Sequence, residues 1–416
     1  MESQKNTPTP SDSEWSPSDL DTTVIGRRTA WLLACGFLTI LIVIPLVDVF
    51  QPLSGRRNDD DNDVRATTNS PLRVFAAPPA LSDYPLPIHA QGQAMPDPAR
   101  RFEQELERTS WLRGQVRPWV HSCLAVTLRS STTDVIIGNK PWLFFRPGVG
   151  HLTGQGLITH TVDEHGSGLG ESLTSIIAFH RECAAAGATL IVVPINDKAA
   201  IESAHLIGQS GLSGPLENSA TATWRERLSA AGVAVMPVTD LLRQRADDGD
   251  AYLHQDTHWT PATMLAVARR IAFHPLVSGH AGTRTWRRDP LSVTGHGDLA
   301  RLLDLPVGSS MIVPQTVQIA QVRDPLSGSP WASDPTAPVL LLGDSFTNIY
   351  QASDLGWGEH AGLGAQLAFL LQTSVDVIAT NGDGFHAPRQ RLASRPSSLT
   401  RKRLVVWVFS ERLVSR

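Results

Sequence analysis

Four short runs of large apolar residues constrain this 416-residue chain more than any other feature: ATLIVVPI at 188–195, APVLLLG at 337–343, SVDVIAT at 374–380 and KRLVVWVFS at 402–410. Each is too short for an ordinary helix, and apart from Ser374 and Asp376 in SVDVIAT the runs show no polar alternation, the pattern of a strand buried on both faces. Helix-period segments stand between them: LTSIIAFHRECAAAG (173–187), ATWRERLSAAG (222–232), PATMLAVARRIAF (261–273) and GLGAQLAFLLQ (362–372). VAVMPV (233–238) and PWLFFRP (141–147) read as further strands, and RRFEQELERTSWLRGQV (100–116) as an amphipathic helix. Repeated helix-then-strand units predict an α/β fold in which helices cover both faces of a mainly parallel sheet. No internal repeat is present.

The first hundred residues have a different character. Ala30 to Val47 form eighteen uncharged residues, with Arg27 and Arg28 before them and Asp48 after them. That length just spans a bilayer as a helix. No small-residue cleavage site follows, so an uncleaved signal anchor is expected over 29–50, with Trp31 as an interface anchor. Residues 1–28 read as a disordered cytoplasmic tail and 51–99, with DDDND and a proline-rich stretch, as a flexible linker. The remaining 100–416 are expected to form one folded domain outside the membrane. With 36 basic and 40 acidic residues the chain has no basic footprint for nucleic acid. Its three cysteines, one of them Cys35 inside the span, allow at most one disulfide, Cys123 to Cys183, and no cysteine-based zinc site.

In parallel sheets ligands gather beyond the carboxyl ends of the strands. Three motifs fall there: Asn196-Asp197-Lys198, Gly343-Asp344-Ser345 and Asn381-Gly382-Asp383-Gly384. A serine needs a histidine to take its proton and a carboxylate to hold that histidine. Asp256-Thr257-His258-Trp259 supplies both, two residues apart, so that in an extended segment they share a face. Two other readings stay open at this stage. Gly-Asp-Ser is also an ordinary turn with a capping serine, and His254-x-Asp256-x-His258 also suits a metal. Eleven tryptophans are unusual for this length, and Trp259 and Trp357 are candidates for a sugar-stacking wall.

The order of motifs resembles a known family. Asp256-x-His258-Trp259, then Gly297-Asp298-Leu299, then Gly343-Asp344-Ser345-Phe346 and a terminal VVWVFSERLV are similar to the SGNH-hydrolase-like domain of bacterial alginate and exopolysaccharide O-acetyltransferases. Ordinary SGNH hydrolases carry the serine block first; in these acetyltransferases, as here, the histidine block precedes it. Gly138 to Phe144 resembles the element that opens the family's domain, and Pro194 to Ile201, with Lys198, its Pro-x-Lys-Ala segment. The resemblance spans about 130–416 and implies an SGNH-like, flavodoxin-like sandwich behind one N-terminal transmembrane helix.

What the resemblance further implies is acetyl transfer in two steps. Ser345, deprotonated by His258 and backed by Asp256, takes the acetyl group and passes it to a polysaccharide hydroxyl. The Ser345 amide, with Asn381 or nearby glycine amides, is the expected oxyanion site. Arg389 matches a family arginine able to bind an anionic sugar or donor, Trp259 is the expected sugar contact, and Asp344 sets the turn. No cofactor and no metal are expected. Partners are a polytopic membrane acyltransferase as acetyl donor and the polysaccharide acceptor, at the inner membrane, with the domain in the periplasm. Alternatives are a carbohydrate acetylesterase, in which water is the acceptor, and a silent scaffold of an export complex.

Overall fold

The computed structural model describes residue 31, residues 117–123, 125 and 132, and then 134–154, 170–207, 216–306, 308–395 and 399–415. The tail over 1–28, the span over 29–50 apart from residue 31, the linker over 51–99 and the helix over 100–116 lie outside the described residues. Among the described residues no helix is long and apolar enough to cross a membrane. One compact unit runs Arg117–Arg416.

Strands β1 (Val135–Ile137) and β2 (Leu143–Phe145) make a short antiparallel pair. They are followed by β3 (Thr189–Ile195), β4 (Ala234–Val235), β5 (Arg287–Gly295), β6 (Gln315–Arg323), β7 (Val339–Gly343), β8 (Val375–Ala379) and β9 (Leu404–Ser410). Five of these form a sheet in the order β4-β3-β9-β7-β8, every neighbouring pair parallel. The last strand of the chain therefore enters the middle. If β7 is counted first and the chain is read on through its ends, the order becomes the 2-1-3-4-5 of flavodoxin-like sheets, circularly permuted.

Both faces of the sheet are buried, which explains the uninterrupted apolar runs. Ile191, Val193, Leu341, Val406 and Val408 point into one core, and Leu190, Val192, Leu340, Leu342, Val405 and Trp407 into the other. This is the two-residue alternation of a strand with apolar company on each side. After helix α1 (Arg146–Thr153), α2 (Glu171–Ala185) and α3 (Thr221–Ala230) cover the second core, through Leu173, Ile176, Phe179, Trp224 and Leu228. Helices α4 (Pro261–Ala272) and α5 (Leu363–Leu371) cover the first. Helix α4 starts where its sequence says it should: Thr260 caps it by accepting from the Thr263 amide, and Pro261 needs no partner for a missing N–H.

Some expectations needed correction. VAVMPV gives only the two-residue edge strand β4, since Pro237 has no amide with which to extend a ladder. PWLFFRP yields three strand residues, and then Arg146 starts α1 with Pro147 in its first turn. The β5–β6 ribbon, nine paired residues a side, was not anticipated, because its half-exposed pattern carries little apolar contrast. Cys183 is a buried free thiol, so no disulfide joins it to the exposed Cys123.

Candidate active site

Three strand ends meet at one edge of the sheet. β7 ends in Gly343, whose hydrogen faces Thr347; a Cβ there would meet Thr347 Oγ1 at 1.9 Å, so the tight strand-to-helix turn requires glycine. Asp344 then caps the turn Ser345–Asn348. One carboxylate oxygen accepts from the Phe346 amide at 2.9 Å, the other from the Ser410 amide of β9 at 2.8 Å. Both oxygens are used structurally, as expected for a turn-setting residue. Ser345 sits half-buried at the first helical position.

The histidine arrives from a closed loop. Tyr252 pairs with Trp259, and the Leu253 amide donates to the His258 carbonyl at 3.0 Å. Tyr350, one turn beyond the serine, donates its hydroxyl to the Trp259 carbonyl at 2.6 Å and ties the two segments together. His258 Nε2 consequently lies 2.8 Å from Ser345 Oγ, and its Nδ1 lies 2.6 Å from Asp256 Oδ1. The imidazole is 4.9 Å from the Phe346 ring, which fixes its plane.

Asp256 is fully buried and its lone pairs are filled. Oδ1 also accepts the His258 amide at 3.0 Å; Oδ2 accepts the Asp298 amide and the Trp357 indole N–H, each at 2.9 Å. Burial opposes its charge, yet His258 and these donors hold the carboxyl down at about 2. The same interaction raises His258: burial alone would lower it, but Asp256 and then Asp298 favour the imidazolium, against a smaller effect of Arg412.

Below the loop, buried Lys198 points its Nζ at the carbonyls of Leu143, Leu253 and His254, each at 2.7 Å, and of Asp256 at 3.1 Å. Trp142 and Phe144 lie 5.0 and 5.2 Å from it. Burial pulls the amine to about 7, with Asp256, Asp298, Glu202 and Asp250 pulling the other way. Four converging carbonyl oxygens suit an ammonium with three donors better than an amine with two.

Asp256, His258 and Asp298 bring ligand atoms within 4.8 Å of one another. The donor set does not fit a cation, because both oxygens of Asp256 already face N–H donors and the 2.6 Å contact is a hydrogen bond with no room for an ion. Nor does His254 join them: its Nε2 pairs with Asp250 at 2.7 Å.

The other residues singled out from sequence fall in different places. Asn381, exposed after β8, meets the serine turn by accepting from Asn348 Nδ2 at 3.1 Å. Arg389 is engaged by the Ser175 carbonyl and hydroxyl and by Glu182, and lies over Phe179, all on α2. These contacts make it a tie between helices in place of the anion-binding group expected. Trp259 is fully buried and edge-on to Phe346, so no ring face is open to a pyranose. Trp357 is buried as well, spending its N–H on Asp256.

Three supports had no role assigned from sequence, although Lys198 and Asp298 stand in motifs named there. Asp298 fixes Thr257, Lys198 fixes the loop, and Arg412, lying 5.7 Å over Phe346, pairs with Asp197 and Ser410. Gly297 carried the signal for the first, because only glycine lets that backbone lie against Gln255, where a Cβ would meet the carbonyl oxygen at 1.9 Å.

A serine on a strand-to-helix turn, hydrogen-bonded to a histidine at the carboxyl edge of a permuted flavodoxin-like sheet, defines an SGNH-hydrolase-like protein. More narrowly, the family described as the SGNH hydrolase-like domain of acetyltransferase AlgX matches residues 135–411, and the chain belongs to it. The probable alginate O-acetylase AlgJ of Azotobacter vinelandii is 26% identical over 199 residues, 45% of this chain. The match covers 49% of that relative, so the chain spans about half the length of the curated protein it matches. The O-acetyltransferase domain of Pseudomonas putida AlgJ is similar in fold, with a TM-score of 0.50 at 21% identity over 67% of this chain and 91% of that one.

Proposed function

We propose that this chain is an O-acetyltransferase that carries the acetyl group on Ser345. The observation behind this reading is the unbroken hydrogen-bond chain from Asp256 through His258 to Ser345. In the first half-reaction His258 Nε2 takes the Oγ proton as Oγ attacks the acetyl carbonyl carbon, and Asp256 stabilises the imidazolium. The imidazolium then protonates the departing donor oxygen, leaving acetyl-Ser345. In the second, His258 takes the proton of an acceptor hydroxyl, whose oxygen attacks the ester, and Ser345 Oγ leaves and is reprotonated. The Ser345 amide and Asn381 are the donors proposed for the transient oxyanion.

The acceptor in this reading is a polysaccharide of the alginate type, by analogy with the activity in the relative's name. The apolar run over 30–47 anchors the chain in the inner membrane and places the domain in the periplasm. Acetyl-CoA is cytoplasmic, so a polytopic membrane acyltransferase supplies the acetyl group. The test is intact-protein mass after incubation with a chromogenic acetyl ester. One added acetyl is expected, absent in Ser345→Ala; no adduct on the folded protein, or the same adduct on the variant, overturns the reading. Acetate released equally with and without polysaccharide, with no acetyl on the polymer, would make water the acceptor.

A further inference from the structure

Asp298 surrounds the histidine without belonging to the Ser345–His258–Asp256 chain. Its Oδ1 accepts the Thr257 amide at 2.8 Å and its Oδ2 the Thr257 hydroxyl at 2.6 Å. That hydroxyl is 3.2 Å from His258 Nδ1, and Asp298 Oδ2 itself is 3.9 Å from the same nitrogen. From its own backbone Asp298 donates to Asp256 Oδ2. Gly297 presses this segment onto Gln255 so closely that no side chain fits between them. Two carboxylates thus flank one imidazole edge, and both oxygens of the second receive donors, the arrangement of an anion.

We propose that Asp298 is a positioning residue of the Ser345 site: through Thr257 it fixes the His258 ring, and its charge beside Nδ1 keeps that ring protonated between accepting the serine proton and releasing it. The inference rests on the acetyl-transfer reading for its chemistry, though its geometry does not. While the tetrahedral adduct exists, the proton taken from Oγ resides on Nε2, and it returns to the leaving oxygen; a second nearby negative charge stabilises that imidazolium. The groups facing His258 are Asp256 and Asp298 on the Nδ1 side and Ser345 on the Nε2 side, with Asp344 and Arg412 at longer range. Lys198 lies behind Asp256 and offsets part of both negative charges. Burial and Asp256 raise the Asp298 carboxyl itself, while the two Thr257 bonds oppose the rise.

The test reads His258 directly, by histidine NMR titration in full-length Ser345→Ala protein, which needs no turnover. The parent midpoint is expected above the ordinary histidine value of about 6.5. Asp298→Asn is expected to lower it by about one pH unit, a tenfold loss of proton affinity. Asp298→Glu, which keeps the charge, is expected to restore most of the shift. In the Ser345-containing enzyme the acid limb of acetyl-ester turnover should move with the midpoint. A parent midpoint at or below 6.5, or an Asp298→Asn midpoint that stays put while activity falls equally at every pH, overturns the proposal. A midpoint that moves in a protein whose Ser345 never acquires acetyl supports Asp298 and removes the acetyl-transfer reading instead.

Discussion

Asp256 accepts four hydrogen bonds and has no lone pair left over, so replacing it with the isosteric asparagine turns part of that set against the protein. An amide N–H facing the indole or the Asp298 amide leaves buried donors opposed, at roughly 1–3 kcal/mol for each unsatisfied group. Asp256→Asn should therefore lower Tm and, by letting His258 adopt the wrong tautomer, cut turnover on a chromogenic acetyl ester about 10⁴-fold. A variant within tenfold of the parent would mean that Asp256 does not orient the ring. The pH dependence has a defined sign. The proposed transfer needs neutral His258, whose pKa is raised, so activity is expected to fall as pH drops through a value above the ordinary 6.5. Asp256 is lowered from 3.8 to about 2, so its stabilisation is complete above about pH 4 and is lost as pH falls through about 2. Ser345, His258 and Asp256, which the fold brings into one hydrogen-bond chain, could be singled out in sequence because their residue types and local spacing suit a serine relay, although a turn cap and a metal site suited them too. Trp259, Trp357 and Arg389 could not be placed that way. An indole or guanidinium has the same letters whether it faces a sugar or braces a helix, and only the fold decides which neighbour reaches it first.

At the scale of elements, the most exposed dependency is the loop from Leu253 to Asp256, which has little regular structure of its own and is moored by one ammonium. Lys198 opens the short helix Lys198–Ile201 directly after β3, so the sheet sets where the histidine loop sits. Lys198→Met keeps the stem's apolar packing but leaves four carbonyls facing a thioether. The loss of charge-assisted bonds worth roughly 1.5–3 kcal/mol each should lower Tm by several degrees and reduce acetyl-ester turnover by more than tenfold. Normal turnover with lowered Tm would show the loop holding its shape unaided. Strands β3, β7 and β9 were readable because each buries both faces and so has almost no polar positions to confuse the pattern. β5 and β6 were not, since a ribbon paired mainly with itself needs hydrogen bonds more than apolar residues, and backbone pairing leaves little trace in side-chain identity.

For the whole molecule, the circularly permuted strand order accounts for the order of the motifs. With the serine strand β7 entering after β3 and β4, the histidine loop must precede the serine in sequence, yet the parallel sheet still delivers both to the same edge, because all five carboxyl ends point one way. The apolar run over 30–47 lies, apart from residue 31, outside the described residues; its place in the proposal is to hold the domain beside a membrane-bound acetyl donor. Chemistry and anchoring should therefore separate. Replacing Leu38 and Ile40 by arginine puts two charges at the centre of the run, at about 3 kcal/mol each in a bilayer. The expected result is a protein that leaves the membrane fraction and no longer supports polymer acetylation in cells, while its Ser345 still accepts acetyl from a soluble chromogenic ester at the parent rate. Retention in the membrane fraction would mean another segment supplies the anchor. Loss of the soluble reaction together with anchoring would mean that the first hundred residues help to build the active site, and the division between tether and catalyst would fail.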